Sequence, residues 1–345
     1  MISVLVMPTA RCDRGCSHCE FDSGTLGESI SPSLLSTLPR EFGRLGPGEK
    51  HFCITGGGEP LLYPWTPKLI WGVLQDRRNW VDLVTSGCVD EDDTGYRSLE
   101  IITDAFRSAR FRTYLSYNAF MPKADERLRF TLPLLRKING LVAIKVAMSY
   151  LDRSPMERLQ SLLEEMGYGN RIIMPERALS RRVMERITEE KYLSEFADFS
   201  HTVYFRENDF TDDGSLNDGF CSYEKHLVSV KAQTLLIEGR ADKLAPSIED
   251  LMQHTSPRKR CNYLRGGCSQ FLRIDYTGAI YPCALETPKP NPLLRIGMLG
   301  EIPLWEAMSR REEVLERARE RVFLSPTGFH SNPCGYCCDD RTGRT

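Results

Sequence analysis

The chain has 345 residues, enough for about two domains and a sizeable buried core. Lys and Arg (45) nearly balance Asp and Glu (47), leaving a net charge of −2, so no global field argues for a nucleic-acid or membrane partner. No apolar run approaches the roughly 20 residues of a membrane span, and the first residues read as a strand rather than a secretory leader, which points to the cytoplasm.

In chain order, apolar and β-branched runs predict strands at 3–7, 51–55, 81–85, 112–117, 141–148 and 171–174. Helical patterns fall between them, near 32–42, 67–76, 98–108, 124–137, 155–166 and 179–196. One helix start is well marked: Ser154 precedes Pro155, and Glu157 follows three residues after the serine, a capping box with proline at the first helical position. Met156, Leu159, Leu163 and Met166 then repeat at helical spacing. Strands alternating with helices predict parallel strands joined by right-handed crossovers. The expected fold is α/β, a partial (β/α)6 TIM-like barrel, with an open doubly wound sheet as the alternative. Either one places ligands beyond the C-terminal ends of the strands.

The cysteines cluster. Of twelve, three lie in the first twenty residues and six lie from Cys261 to Cys338; Cys53, Cys88 and Cys221 lie between. Cysteines in a reducing compartment read as metal ligands rather than bridges. The front group is Arg11-Cys12-Asp13-Arg14-Gly15-Cys16-Ser17-His18-Cys19, directly after the first predicted strand. Three thiolates on one short loop can hold three irons of a [4Fe–4S] cubane and leave the fourth open to a ligand. A zinc knuckle fits less well, because structural zinc takes four closed ligands.

A second motif follows the second strand: Cys53-Ile54-Thr55-Gly56-Gly57-Gly58-Glu59-Pro60-Leu61. Consecutive glycines let the backbone approach a ligand closely, and Glu59 adds a carboxylate. Polar groups also stand at later strand ends, in Thr85-Ser86-Gly87 and Ser116-Tyr117-Asn118, where an ordinary turn is the simpler reading.

The C-x3-C-x2-C run and the Gly-Gly-Glu-Pro motif resemble those of the radical S-adenosylmethionine (radical SAM) superfamily. The resemblance implies that Cys12, Cys16 and Cys19 carry a SAM-binding [4Fe–4S] cluster and that Gly57, Gly58, Glu59 and Pro60 hold the SAM amino group. It places His18 near the adenine, and Ser86, Ser116 and Asn118 near the SAM carboxylate and ribose. The implied chemistry is one-electron cleavage of SAM to a 5′-deoxyadenosyl radical that abstracts hydrogen from a C–H bond. A flavodoxin- or ferredoxin-type donor would supply the electron.

Near the C-terminus, residues 272–281 read as a hairpin turning at Thr277-Gly278 and flanked by Cys268 and Cys283; Cys334-Gly335-Tyr336-Cys337-Cys338 follows. This stretch resembles the SPASM/twitch extension of radical SAM enzymes. It implies one auxiliary [4Fe–4S] cluster on Cys268, Cys283, Cys334 and Cys337, with Cys261 competing for a position and a structural zinc site as the alternative. Neighbouring residues rarely both reach one cluster, which disfavours Cys338. The domain expectation is a barrel over 1–200, a bridge over 201–260 and a small cysteine-rich twitch/SPASM-like domain over 261–345.

These features imply an enzyme of oxidoreductase or transferase type acting on a polar small molecule such as a sugar, aminocyclitol or nucleotide-like substrate. A ribosomal-peptide maturase and a non-catalytic iron–sulfur or zinc protein are the alternatives. If the reaction ends in epimerisation a thiol must donate hydrogen, and Cys88, just past the third strand, is the candidate, with Cys53 and Cys221 also available.

Overall fold

The computed structural model describes residues 2–17, 19, 21, 23–105, 110–117, 121–135, 141–148, 154–167, 202–204, 228–234, 270–282 and 292–323. Its strands are β1 (Ile2–Val6), β2 (Lys50–Ile54), β3 (Asn79–Thr85), β4 (Phe111–Tyr117), β5 (Leu141–Met148), β6 (Thr202–Tyr204), β7 (Val228–Thr234), β8 (Phe271–Ile274), β9 (Ala279–Tyr281) and β10 (Gly297–Met298). The helices are α1 (Pro32–Gly43), α2 (Thr66–Leu74), α3 (Tyr96–Ala105), α4 (Ala124–Leu135), α5 (Ser154–Glu165) and α6 (Leu304–Phe323). The strands form one sheet in the order β10-β9-β8-β1-β2-β3-β4-β5-β7-β6. From β8 through β7 every neighbouring pair is parallel, while β9, β10 and β6 join antiparallel. Parallel strands alternating with helices, in a sheet whose edges do not pair with each other among the described residues, make an open, partial TIM-like barrel.

Local chemistry explains the elements. Helix α1 opens with Ser31 as N-cap, its hydroxyl accepting from the Leu34 N–H at 3.4 Å, and Pro32 at the first turn. Its apolar stripe of Leu35, Leu38 and Phe42 is buried, and Phe42 meets Phe52 of β2 edge-on with ring centroids 5.1 Å apart. Lys50, fully buried at the start of β2, donates to the carbonyls of Gly43 and Gly46 at 2.9 and 3.1 Å, satisfying acceptors left free by the helix end.

The strands alternate faces. Val4, Val6, Phe52, Ile54, Val81, Leu83, Phe111, Leu115, Val142 and Ile144 pack with the helices in one core cluster. The residues between them, including His51, Cys53, Asp82, Arg112 and Ser116, therefore belong to the other, inner face. That face is polar. His51 and Arg112 flank Asp82 there: His51 Nε2 lies 3.1 Å from Asp82 Oδ2, and Arg112 grips both carboxylate oxygens at 2.6 and 2.9 Å.

Five of the six expected strands are present at their expected places. The sixth, 171–174, and the helix expected at 179–196 lie outside the described residues. The strand beside β5 is β7, from the segment read as a bridge. The expected hairpin forms as β8 and β9, and β8 runs parallel to β1 in the same sheet, in register from Ser3↔Phe271 to Val6↔Ile274. Its turn, beginning at Asp275, therefore stands at the C-terminal end of β1.

Candidate cluster and cofactor site

The loop after β1 carries Cys12, Cys16 and Cys19, all unbridged and half-buried. Its first residues are fixed on both sides by backbone. A Cβ on Gly58 would lie 2.2 Å from the Arg11 carbonyl oxygen, and one on Gly27 would lie 2.3 Å from the Ala10 carbonyl oxygen. Neither position admits a side chain without moving the loop. Hydrogen bonds complete the clamp. The Glu59 N–H donates to Arg11 O at 2.8 Å, the Cys12 N–H to Gly24 O at 2.9 Å, and the Ser23 hydroxyl to Gly57 O. The glycine motif and the cysteine loop are thus one interlocked unit.

The donor set, three unbridged thiols on one loop, fits an iron–sulfur cluster. Cys19 Sγ accepts the Ser23 N–H at 3.4 Å, as a ligating sulfur does. Burial pushes the Cys12 thiol up to about 12, and negative charge from Glu59, Cys16 and Cys19 adds to the shift. Among the described residues no three His, Cys, Asp or Glu side chains converge on a point that a single ion could occupy. A cubane differs, since each thiolate takes its own iron.

Glu59 caps the short 3-10 turn Pro60–Leu62 and is 3% exposed. Oε1 accepts from Thr85 Oγ1 at 2.7 Å and from the Leu61 N–H at 3.0 Å. Oε2 accepts from the Ser86 N–H at 2.8 Å and from the Ser86 hydroxyl. With both oxygens doubly engaged, the carboxylate ties the β2 loop to the end of β3.

A buried ionic network, missed by sequence reasoning, stands behind the site. Arg14, between Cys12 and Cys16, is 3% exposed. Its Nε donates to Ser86 Oγ at 3.1 Å, and Nη1 reaches both oxygens of Asp93 at 3.0 and 2.8 Å. Asp93 also accepts from Arg127 Nη1 at 3.0 Å and from the N–H groups of Val89 and Gly95 at 3.2 and 2.9 Å. Burial disfavours the ionised Asp93, but the Gly95 N–H and the Arg14 charge outweigh it and hold its carboxyl below the usual range. The loops after β1, β2 and β3 therefore share one set of charges. A cysteine-loop arginine and an aspartate in an acidic run were the available signals, and neither identifies its partner.

The remaining expected residues divide. Ser86 is buried against Glu59 and Arg14, and Ser116 is half-buried on the inner face near the end of β4. Cys88 is fully buried, its N–H donating to Thr131 Oγ1 at 2.8 Å, and burial followed by the nearby Asp93 charge raises its thiol well above the usual range. His18, Asn118, Cys221, Cys261, Cys268, Cys283, Cys334, Cys337 and Cys338 lie outside the described residues.

No family model and no curated protein sequence matches the chain. Solved structures do. One is native anSMEcpe with bound AdoMet and a Cp18Cys peptide, at 13% identity over 98% of this chain and 87% of that one, with a TM-score of 0.51. Another is SuiB of Streptococcus suis bound to S-adenosylmethionine, at 13% identity over 97% of this chain and 68% of that one, with a TM-score of 0.50. The chain shares the fold of these two AdoMet-binding proteins. Within that fold the interlocked cysteine and glycine loops stand after the first two strands of the barrel, at the C-terminal end of the sheet. No helix among the described residues is long and apolar enough to cross a membrane.

Proposed function

We propose that this protein is a radical SAM enzyme that abstracts hydrogen from a C–H bond of a polar small-molecule substrate. The observation that carries the reading is the cysteine loop locked onto the glycine motif, with Arg11 O held by the Glu59 N–H and pressed by Gly58. Cys12, Cys16 and Cys19 would hold the cluster, which supplies one electron to the SAM sulfonium so that its S–C5′ bond breaks. The protein's own part is to bind and insulate. Gly57, Gly58, Glu59 and Pro60 would meet the SAM amino group, and Ser86 and Ser116 would serve its carboxylate and ribose. An auxiliary cluster on cysteines of the 261–345 segment would pass electrons; in an oxidative reaction it would take one from the substrate. Cys88 could donate a hydrogen atom only if the packing around Thr131 opened.

A peptide maturase is the second reading, favoured by the peptide bound in the anSMEcpe structure. Protein reconstituted with iron and sulfide, reduced without oxygen and supplied with SAM, should release 5′-deoxyadenosine. Its absence would refute the proposal. Crosslinked or epimerised peptide among the products would favour the second reading.

A further inference from the structure

Buried cations in this fold find partners. Arg14 and Arg127 have Asp93, though each keeps one buried nitrogen without a hydrogen bond; Lys50 has two carbonyls, and Arg311 donates from Nε to the carbonyls of Phe271 and Pro282 at 3.0 and 3.1 Å. Arg273 of β8 differs: among the described residues it has no ion pair. It is 1% exposed, yet its Nε and Nη1 are buried without a hydrogen-bond partner. The guanidinium stacks on the Tyr281 ring, 4.4 Å from the centroid, which accommodates a cation but accepts no N–H in its plane. A guanidinium does not shed its proton. An unpaired buried charge is among the costliest features a fold can carry.

Its place in the sheet says what it is for. Leu272 and Ile274 enter the helix-side core, so Arg273 belongs to the opposite, inner face. Strand register sets Tyr281, Arg273, Leu5, Cys53, Asp82 and Arg112 in one row across β9, β8, β1, β2, β3 and β4. Asp82 and Arg112 neutralise each other within that row. Among the described residues Arg273 has no ion pair; the buried Asp275, two positions on, accepts instead from Thr277 and the Ala279 N–H. Three residues on, the Tyr276 ring lies against Gly57: a Cβ there would be 3.3 Å from Tyr276 Cδ1. Arg273 therefore stands below the glycine motif on the inner face.

We propose that Arg273 receives an anionic group, carboxylate or phosphate, of the molecule held against the inner face of the barrel. Naming that molecule the substrate rests on the function proposed above; the anion site itself does not. The planar fork of the guanidinium pairs with two oxygens at once, which suits either group.

The test uses reconstituted protein and inorganic phosphate as the probe, against chloride at equal ionic strength, in thermal unfolding at one fixed scan rate. Phosphate should raise the wild-type midpoint saturably. R273Q should remove that increment, and R273K should keep a smaller one. In chloride, R273M should unfold no earlier than wild type, since it removes an unpaired charge. No phosphate-specific increment in wild type, or an equal one in R273Q, would overturn the proposal. So would loss of the increment with saturating SAM, which would assign the guanidinium to the SAM carboxylate. An increment present only before iron–sulfur loading would assign it to a cluster and overturn it as well. 5′-Deoxyadenosine release by wild type in phosphate-free buffer tests the function separately.

Discussion

Replacing Asp93 by Asn removes one charge and almost no volume. The side chain is 3% exposed and serves Arg14, Arg127 and two backbone N–H groups. Asparagine keeps one acceptor oxygen and points an NH2 at donors that need an acceptor. Breaking a buried pair by neutralising one member costs about 3–5 kcal/mol. Arg14 retains Asp13 at 3.1 Å, so the lower end, about 3 kcal/mol, is expected here. Urea unfolding followed by far-UV circular dichroism at pH 7 measures the difference. Asp93 is held below the usual carboxylate range, so its contribution is complete above the unfolded-state value of about 3.9 and is lost as pH falls through the folded value. The gap between wild type and D93N should thus be full at pH 7 and shrink below about pH 4. An R14Q/D93N double variant should show coupling of at least about 1.5 kcal/mol in the cycle. A D93N penalty under about 1 kcal/mol at pH 7, or one unchanged in acid, would refute the ionic clamp.

The other interlocks make their own predictions. G58A places a methyl 2.2 Å from Arg11 O, so the cysteine loop must move; about 1–3 kcal/mol of destabilisation and less than half the wild-type iron after reconstitution are expected. Iron content equal to wild type would contradict that packing. E59Q should cost about 1–3 kcal/mol by setting an amide against the Ser86 N–H and hydroxyl or the Thr85 hydroxyl. Unchanged urea stability in E59Q would show that the carboxylate does not bind the two loops together.

The barrel was legible because its early strands are short apolar runs whose inner and outer residues alternate, as in Phe52 and Ile54 against His51 and Cys53. The cysteine and glycine loops were legible because their spacing carries their chemistry. Long-range pairing was not. Nothing local to Leu272 or Ile274 says that their strand joins β1, and the alternation of Val228–Thr234 does not reveal β5 as its neighbour. The Arg14–Asp93 pair spans 79 positions, so periodicity is blind to it. Arg273 sits in an ordinary strand pattern, and its missing partner becomes visible only once the space around it is known.

The most direct measurement of the central claim is 5′-deoxyadenosine release from SAM under anaerobic reduction, comparing wild type with C12S/C16S/C19S. The account predicts product from wild type and none from the triple variant, with the distal iron–sulfur signal preserved. Equal release by both proteins, or none by fully loaded wild type, would contradict it.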